Sequence, residues 1–361
     1  MKESIRTFWY YTLGKYFCQR PPVLTLFVTN RCNARCQHCF YWQSLDKKKK
    51  AEISLDVIKK LSLDLNHLEL LMISGGEPFL RDDLVEIVKI FWQNNSLKTA
   101  SLASNFLLPQ KTAELLEKIV KISPKLQVIV CPSLDGTEKV HDKIRGVPNA
   151  FDKVTETIRL LKELSKEAPF SICLNCVVQP LNIGELPQLY GFAQEMELPI
   201  HFIPIYVNPW LLDNTDDKQL VTFRPEQIEE IKLFFSNPQY DISPIWKACW
   251  QDHLRVIGGE KRRFPCALLR HHAFLDTDGN MFICWADDSL VYGNVRDAPA
   301  DNIWYSAAAK SARERAKAMY CSSCTQSCDP ALTVRLEFFH FTRFLLKEEG
   351  RNLLRRRPQM R

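Results

Sequence analysis

The sequence predicts an α/β fold: a parallel sheet covered by helices, followed by a small cysteine-rich module. Three observations carry this expectation. Between residues 23 and about 236, six short β-rich runs alternate with longer amphipathic segments; the runs are near-continuously apolar; and the alternation ends around residue 237, where "SNPQYDISPIW" brings in two prolines. Apolar strands separated by crossover helices indicate a sheet buried on both faces, whose ligands bind at the C-terminal strand ends. Six units are fewer than the eight of a closed barrel, so a partial barrel and a doubly wound sheet both satisfy the pattern.

Taken in order, the strand runs are "VLTLFVT" from 23, "LELLMIS" from 68, "KTASLAS" from 98, "LQVIVCPSL" from 126, "FSICLNCVV" from 170 and "IHFIPIYV" from 200. The first helix, "SLDVIKKLSLDL", opens on Ser54 as N-cap and repeats Leu55, Ile58, Leu61 and Leu65 at helical spacing. The next, "RDDLVEIVKIFW", starts with Asp82 and Asp83 and lines up Leu84, Ile87, Val88 and Phe91. The expected division is an N-terminal helix at 1–22, the α/β unit at 23–236, a cysteine-rich domain at 245–330 and a basic C-terminal helix at 331–361.

Composition excludes several classes. The chain of 361 residues is 46% hydrophobic and 25% charged, an ordinary globular balance. Its net charge of +6 comes almost entirely from residues 331–361, where eight Lys/Arg face three Glu, so nucleic acid is not an expected partner. Neither a signal peptide nor an apolar run near the ~20 residues of a membrane span is visible, which makes a cytoplasmic protein the expectation. Thirteen cysteines there point to metal or redox chemistry rather than disulfides.

"TNRCNARCQHCF" places Cys32, Cys36 and Cys39 on one loop after the first strand. Three thiolates do not complete a structural zinc site, and His38 abuts Cys39, an awkward place for a fourth ligand. An iron-sulfur cluster with one iron free of protein ligands suits them better. This C-x3-C-x2-C motif resembles the signature of the radical S-adenosylmethionine (SAM) superfamily. The resemblance implies a partial (β/α)6 TIM-like barrel, a 4Fe-4S cluster on the three Cys and SAM on its open iron, with the His38 backbone beside the adenine. "SGGEP" after the second strand, Gly75, Gly76, Glu77 and Pro78, resembles the family's motif for the methionyl amine, although a tight turn would read the same way. Ser104 and Asn105 match the ribose or methionyl contacts loosely, since Phe106 stands where Gly is frequent. "SLDG" and "HDKIRG" resemble members with an auxiliary-cluster domain. Ser133 and Arg145 are thereby implicated at the SAM carboxylate, with Asp135 a further contact or a simple helix cap.

Cys266, Gly279 and Cys284, then Cys321, Cys324 and Cys328, resemble SPASM and Twitch domains; "LDTDGNMFIC" reads as a hairpin turning at Asp278-Gly279. A full SPASM set requires more cysteines, so one auxiliary 4Fe-4S cluster is expected, with Cys266, Cys284 and Cys328 as ligands and either Cys321 or Cys324 completing the set. Spacing alone also permits zinc. Cys18, Cys131, Cys173, Cys176 and Cys249 read as buried small residues.

The resemblance implies an enzyme. An external donor such as flavodoxin or ferredoxin reduces the cluster, SAM is cleaved to methionine and a 5′-deoxyadenosyl radical, and the radical takes a hydrogen atom from a substrate C–H bond. A peptide is the leading substrate class, although the motif at residue 32 leaves no room before it for a leader-binding domain. The alternative is a small metabolite or a lipid-linked substrate, with the basic C-terminal helix contacting a membrane. A non-enzymatic metal-binding adaptor is the competing class, opposed by "SGGEP" in register.

Overall fold

The computed structural model describes residues 20–46, 52–206, 222–264, 266–284 and 286–326, with Thr333 and Thr342. The expected terminal helices and Cys328 lie outside these residues, apart from residues 20–22 and the two threonines.

All six expected strands form. β1 (Val23–Phe27), β2 (Leu70–Ser74), β3 (Thr99–Ser104) and β4 (Gln127–Pro132) pair in parallel in sequence order. The fifth run divides at Cys173 into β5 (Ser171–Ile172), which pairs with β4, and β6 (Leu174–Val178), which pairs with β7 (Ile200–Pro204). Continuity across the break rests on Cys173 N donating to Val130 O at 3.0 Å and Leu134 N donating to Asn175 O at 2.8 Å.

The crossovers are α1 (Leu55–Asp64), α2 (Leu84–Asn94), α3 (Pro109–Val120), the pair α4 (Glu138–Arg145) and α5 (Ala150–Glu167), and α6 (Leu186–Glu195). Ser54 caps α1, accepting from Val57 N at 3.4 Å. The acids before α2 behave otherwise: Asp83 makes no capping bond and binds Arg81, while Asp82 binds Lys111. Helices cover one face of the sheet, where Leu24, Leu26, Ile73, Leu102 and Val130 are at most 1% exposed. Each contributes about 1.5–3 kcal/mol by burial. The alternate set, which includes Ser101, Cys131, Asn175 and His201, is less deeply buried and faces the concave side.

After α7 (Pro225–Ser236) and α8 (Pro244–Ile257), the short α9 (Leu268–His271) leads into β8 (His272–Leu275), β9 (Asn280–Phe282) and β10 (Val291–Asn294), then α10 (Ala300–Tyr305) and α11 (Ala307–Met319). The expected hairpin is β8–β9, pairing Phe274 with Phe282 and Leu275 with Met281. It does not stand apart from the barrel. β8 pairs in parallel with β1, Val23 to His272 through Leu26 to Leu275, so one sheet runs β10-β9-β8-β1-β2-β3-β4-β5. Among the described residues no helix is long and apolar enough to cross a membrane.

Candidate cluster and cofactor site

The loop carrying Cys32, Cys36 and Cys39 is fastened on two sides by backbone. Gly76 N donates to Thr29 O at 2.7 Å and Glu77 N to Arg31 O at 2.8 Å, which extends the β1–β2 pairing past the strand ends. On the other side Arg35 N and Gln37 N each reach the end of α4, at Arg145 O and Ile144 O, both at 2.9 Å. This explains the two glycines. A Cβ on Gly76 would sit 2.2 Å from Arg31 O, and Gly75 has φ +134 with Thr29 O 2.5 Å from its Cβ position. The glycines admit the thiol loop as closely as any ligand.

Above this junction lies a cavity of about 320 Å³. Cys32, Cys36, Cys39, His38, Gly75, Gly76, Ser104, Asn105, Ser133 and Arg145 all line it, so most residues singled out in the sequence converge. Glu77, Pro78 and Asp135 lie behind the wall. The Glu77 carboxylate, 1% exposed, accepts from Ser104 Oγ at 2.7 Å, Asn105 N at 2.8 Å and Phe79 N at 3.1 Å, tying the end of β3 to the turn after β2. Burial pushes its carboxyl above the usual range despite these donors. Asn105 Nδ2 donates to Asn33 Oδ1 at 2.7 Å, on the thiol loop.

Asp135 is not a helix cap; Thr137 occupies the N-cap of α4. Asp135 Oδ1 accepts from Val177 N at 2.8 Å and Oδ2 pairs with Arg145 Nη2 at 2.6 Å. Burial alone would raise its carboxyl, yet Arg145, then His38 and His141, hold it below the usual range. The pair aims Arg145 Nη1 at Cys36 Sγ, 3.5 Å away. His38 accepts from Gln179 Nε2 at Nδ1 (3.1 Å), which leaves its proton on Nε2 facing Asp135. Burial lowers its pKa to about 4, so the ring is neutral at pH 7. Phe106, at the position of the frequent Gly, has φ 54 in the left-handed region. Its ring packs on Phe79 and its carbonyl accepts from Thr157 Oγ1 at 2.7 Å.

Burial raises the Cys32 thiol to about 11 and Cys39 to about 12, with Cys36 adding to both shifts. In the C-terminal region burial raises Cys284 to about 12 and Cys321 to about 11. There Cys324, Cys266 and Cys321 each push Cys284 up further, Cys266 and Cys324 do the same to Cys321, and Cys266 does so to Cys324, so these thiols lie within electrostatic reach of one another. Buried thiols deprotonate when a metal centre supplies positive charge. No three His, Cys, Asp or Glu among the described residues converge on a single ion. By donor type, grouped thiolates suit an iron-sulfur cluster or a zinc ion. None of the described cysteines is disulfide-bonded. Cys173, Cys176 and Cys249 are buried as expected, Cys173 with its Sγ 3.4 Å from His201 Nδ1, whereas Cys131 is half-buried beside Ser101.

The sequence reading missed Tyr41, Asn175, Tyr206 and Gln326, which also line the cavity. Gln326 had a faint signal, standing two residues after Cys324.

The sequence pattern of the Radical SAM superfamily matches residues 26–193, and that of SPASM, an iron-sulfur cluster-binding domain, matches residues 266–329. AdoMet-dependent heme synthase of Methanosarcina barkeri is 24% identical over 80% of this chain and 83% of its own length. PqqA peptide cyclase of Bradyrhizobium diazoefficiens is 29% identical over 49% of this chain, and the match spans 44% of that protein. The structure of anSMEcpe with bound AdoMet superposes with a TM-score of 0.60 at 19% identity, covering 92% of this chain and 98% of that one, a likeness of fold. The chain thus carries a radical SAM domain at residues 26–193, of the kind found in enzymes that use SAM and a 4Fe-4S cluster, and a SPASM iron-sulfur cluster-binding domain at residues 266–329.

Proposed function

We propose that Cys32, Cys36 and Cys39 hold the SAM-binding 4Fe-4S cluster, and that Gly75, Gly76, Ser104, Asn105, Ser133 and Arg145 receive SAM beside it. The ligands of one auxiliary 4Fe-4S cluster come from Cys266, Cys284, Cys321 and Cys324 together with Cys328, which lies outside the described residues. When bound, these groups supply one-electron cleavage of SAM and hydrogen-atom abstraction from a substrate C–H bond, with electrons from a flavodoxin or ferredoxin. The chain's own residues bind and orient. The Gly75-Gly76 turn offers backbone to the amino acid end of SAM, Asp135 keeps Arg145 aimed across the cavity, and Glu77 fixes Ser104 and Asn105 from behind. Phe40, Tyr41, Leu45, Ile203, Ile205 and Tyr206 exclude water from the mouth.

The observation that carries this reading is the convergence of the three thiols, the double-glycine turn and Arg145 on one cavity. A peptide is the substrate class it favours. Among the described residues no acidic side chain lines the cavity, and Arg145, the one lining guanidinium among them, is engaged by Asp135. The apolar stretch of wall formed by Phe40, Tyr41, Leu45, Ile203 and Ile205 suits a side chain delivered on a backbone. A small-molecule substrate is the second reading, favoured by the alignment with the heme synthase across 80% of the chain. The protein is read as cytoplasmic, and residues 331–361 would supply any membrane contact.

Anaerobically reconstituted protein, reduced and given SAM, should form 5′-deoxyadenosine and carry about eight irons per chain. A fully loaded sample that leaves SAM intact overturns the assignment. Deuterium transfer into 5′-deoxyadenosine from perdeuterated peptides, against none from a carboxylated iron porphyrin, supports the peptide reading; the reverse supports the small molecule.

A further inference from the structure

The segment Cys324–Gln326 belongs to two sites at once. Gln326 lines the main cavity together with Cys32, Cys36, Cys39 and Arg145. Two residues earlier, Cys324 is one of the four grouped C-terminal thiols, and Gln326 N lies 3.4 Å from its Sγ. One guanidinium fixes this short bridge. Arg262 Nη1 donates to Gln326 O at 2.6 Å and to Cys324 O at 3.3 Å, and Arg262 Nε donates to Phe264 O at 3.0 Å. Its own N–H reaches Ser322 O at 2.8 Å. The strand of chain that carries Arg262 is itself anchored, because the buried Asp252 of α8 accepts from Arg263 N at 3.0 Å and Phe264 N at 2.8 Å.

We infer that Arg262 is a positioning residue that couples the auxiliary centre to the main cavity, and that Gln326, which it sets in place, is a wall residue governing how a reactant sits there. The inference rests on the proposed ligand sets. A planar fork spanning two successive carbonyls does what a single ammonium cannot, holding the bridge in one conformation. The same cation sits at the turn that carries Cys324, with its Nη1 3.3 Å from Cys324 O. A positive charge beside a cluster stabilises its more negative, reduced state, so Arg262 raises the auxiliary potential. Removing it should disturb both sites together.

The test uses the reconstituted full chain, SAM as the only added ligand, and EPR-monitored redox titration of each cluster. In Arg262→Gln the reduced-to-oxidised ratio of the auxiliary cluster should fall about tenfold at fixed potential, or 59 mV for a one-electron couple. The barrel cluster should keep its potential, while substrate-free formation of 5′-deoxyadenosine changes by at least about threefold. Arg262→Lys should restore most of the potential without restoring that rate, since it keeps charge and loses the fork. Gln326→Ala should leave iron content and both potentials alone and alter only the rate. If Arg262→Gln moves the auxiliary potential with an unchanged rate, or Gln326→Ala behaves as the parent, the coupling is wrong. Should Arg262→Gln fail to retain iron, the Arg262→Lys and Gln326→Ala arms decide. A parent that forms no 5′-deoxyadenosine indicts the assigned chemistry and leaves the potentials to judge the coupling.

Discussion

The thiols of the barrel sit within one loop, Cys32 to Cys39, whereas those of the C-terminal centre are gathered from a stretch running from Cys266 to Cys324. The first group is braced from outside by backbone: the turn after β2 holds one end of the loop and the end of α4 holds the other. Its geometry is set by the barrel before any iron arrives. The second group comes from the approach to α9, the segment after β9 and the turn after α11. Those pieces are held by side chains, chiefly Arg262 and Asp252, and by the β8–β9 hairpin. Preorganisation thus differs, and metal binding should contribute more to the folding of the second centre than of the first.

The largest effect should come from breaking the brace of the barrel loop. Gly76→Ala places a methyl 2.2 Å from Arg31 O, which parts the thiol loop from the double-glycine turn. Iron should fall from about eight to about four per chain, and SAM cleavage should be lost. Cys284→Ser should remove a similar amount of iron yet leave substrate-free SAM cleavage in place. The pair of variants, compared by iron assay and 5′-deoxyadenosine yield, separates the two centres. Retention of both iron and cleavage in Gly76→Ala would show that the loop does not depend on this junction.

Next in size is Asp135→Asn, which strands the buried Arg145 beside Cys36. Removing one partner of a buried pair costs about 3–5 kcal/mol. The folded carboxyl lies below its unfolded value near 3.9, so the contribution is complete above about pH 4 and is lost as pH falls through the folded value. Urea unfolding should therefore show a constant gap between parent and variant from pH 8 to 5 that narrows in stronger acid. A gap that widened in acid would assign the stability to another group.

What was legible in the sequence follows the same division. The six strands, the Ser54 cap and the hairpin at Asp278-Gly279 are local patterns, and each formed where its period or turn residues placed it. Cys32, Cys36 and Cys39 were legible because their spacing is local as well. The joining of β8 to β1 was not, since no residue near Val23 records that His272 will lie beside it. The same holds for the approach of Cys321 and Cys324 to Cys266 and Cys284, and for Gln326 reaching the barrel cavity. Glu77 was found but assigned to the ligand side; only tertiary structure shows its carboxylate turned toward Ser104 and Asn105.

The smallest predicted effect lies at the seam between the two regions. His272 opens β8 opposite Val23, is 3% exposed, and its Nε2 lies 2.7 Å from Thr25 Oγ1 on β1. Its ring stacks on Phe274 at 4.3 Å, and burial lowers its pKa to about 3. The fold therefore holds the neutral ring, while the unfolded chain takes up a proton near pH 6.5. Stability from this group is complete above about pH 6.5 and declines as pH falls from there toward 3. At pH 5.5 the loss is about 1.4 kcal/mol, and it grows by a similar amount per unit of further acidification. His272→Gln keeps a hydrogen-bonding group for Thr25 and removes the titration. Its denaturation midpoint should start below that of the parent at pH 8 and converge on it by about pH 5. Parallel curves over that range would mean that the seam is insensitive to protonation and that β8 is secured to β1 by its backbone ladder alone.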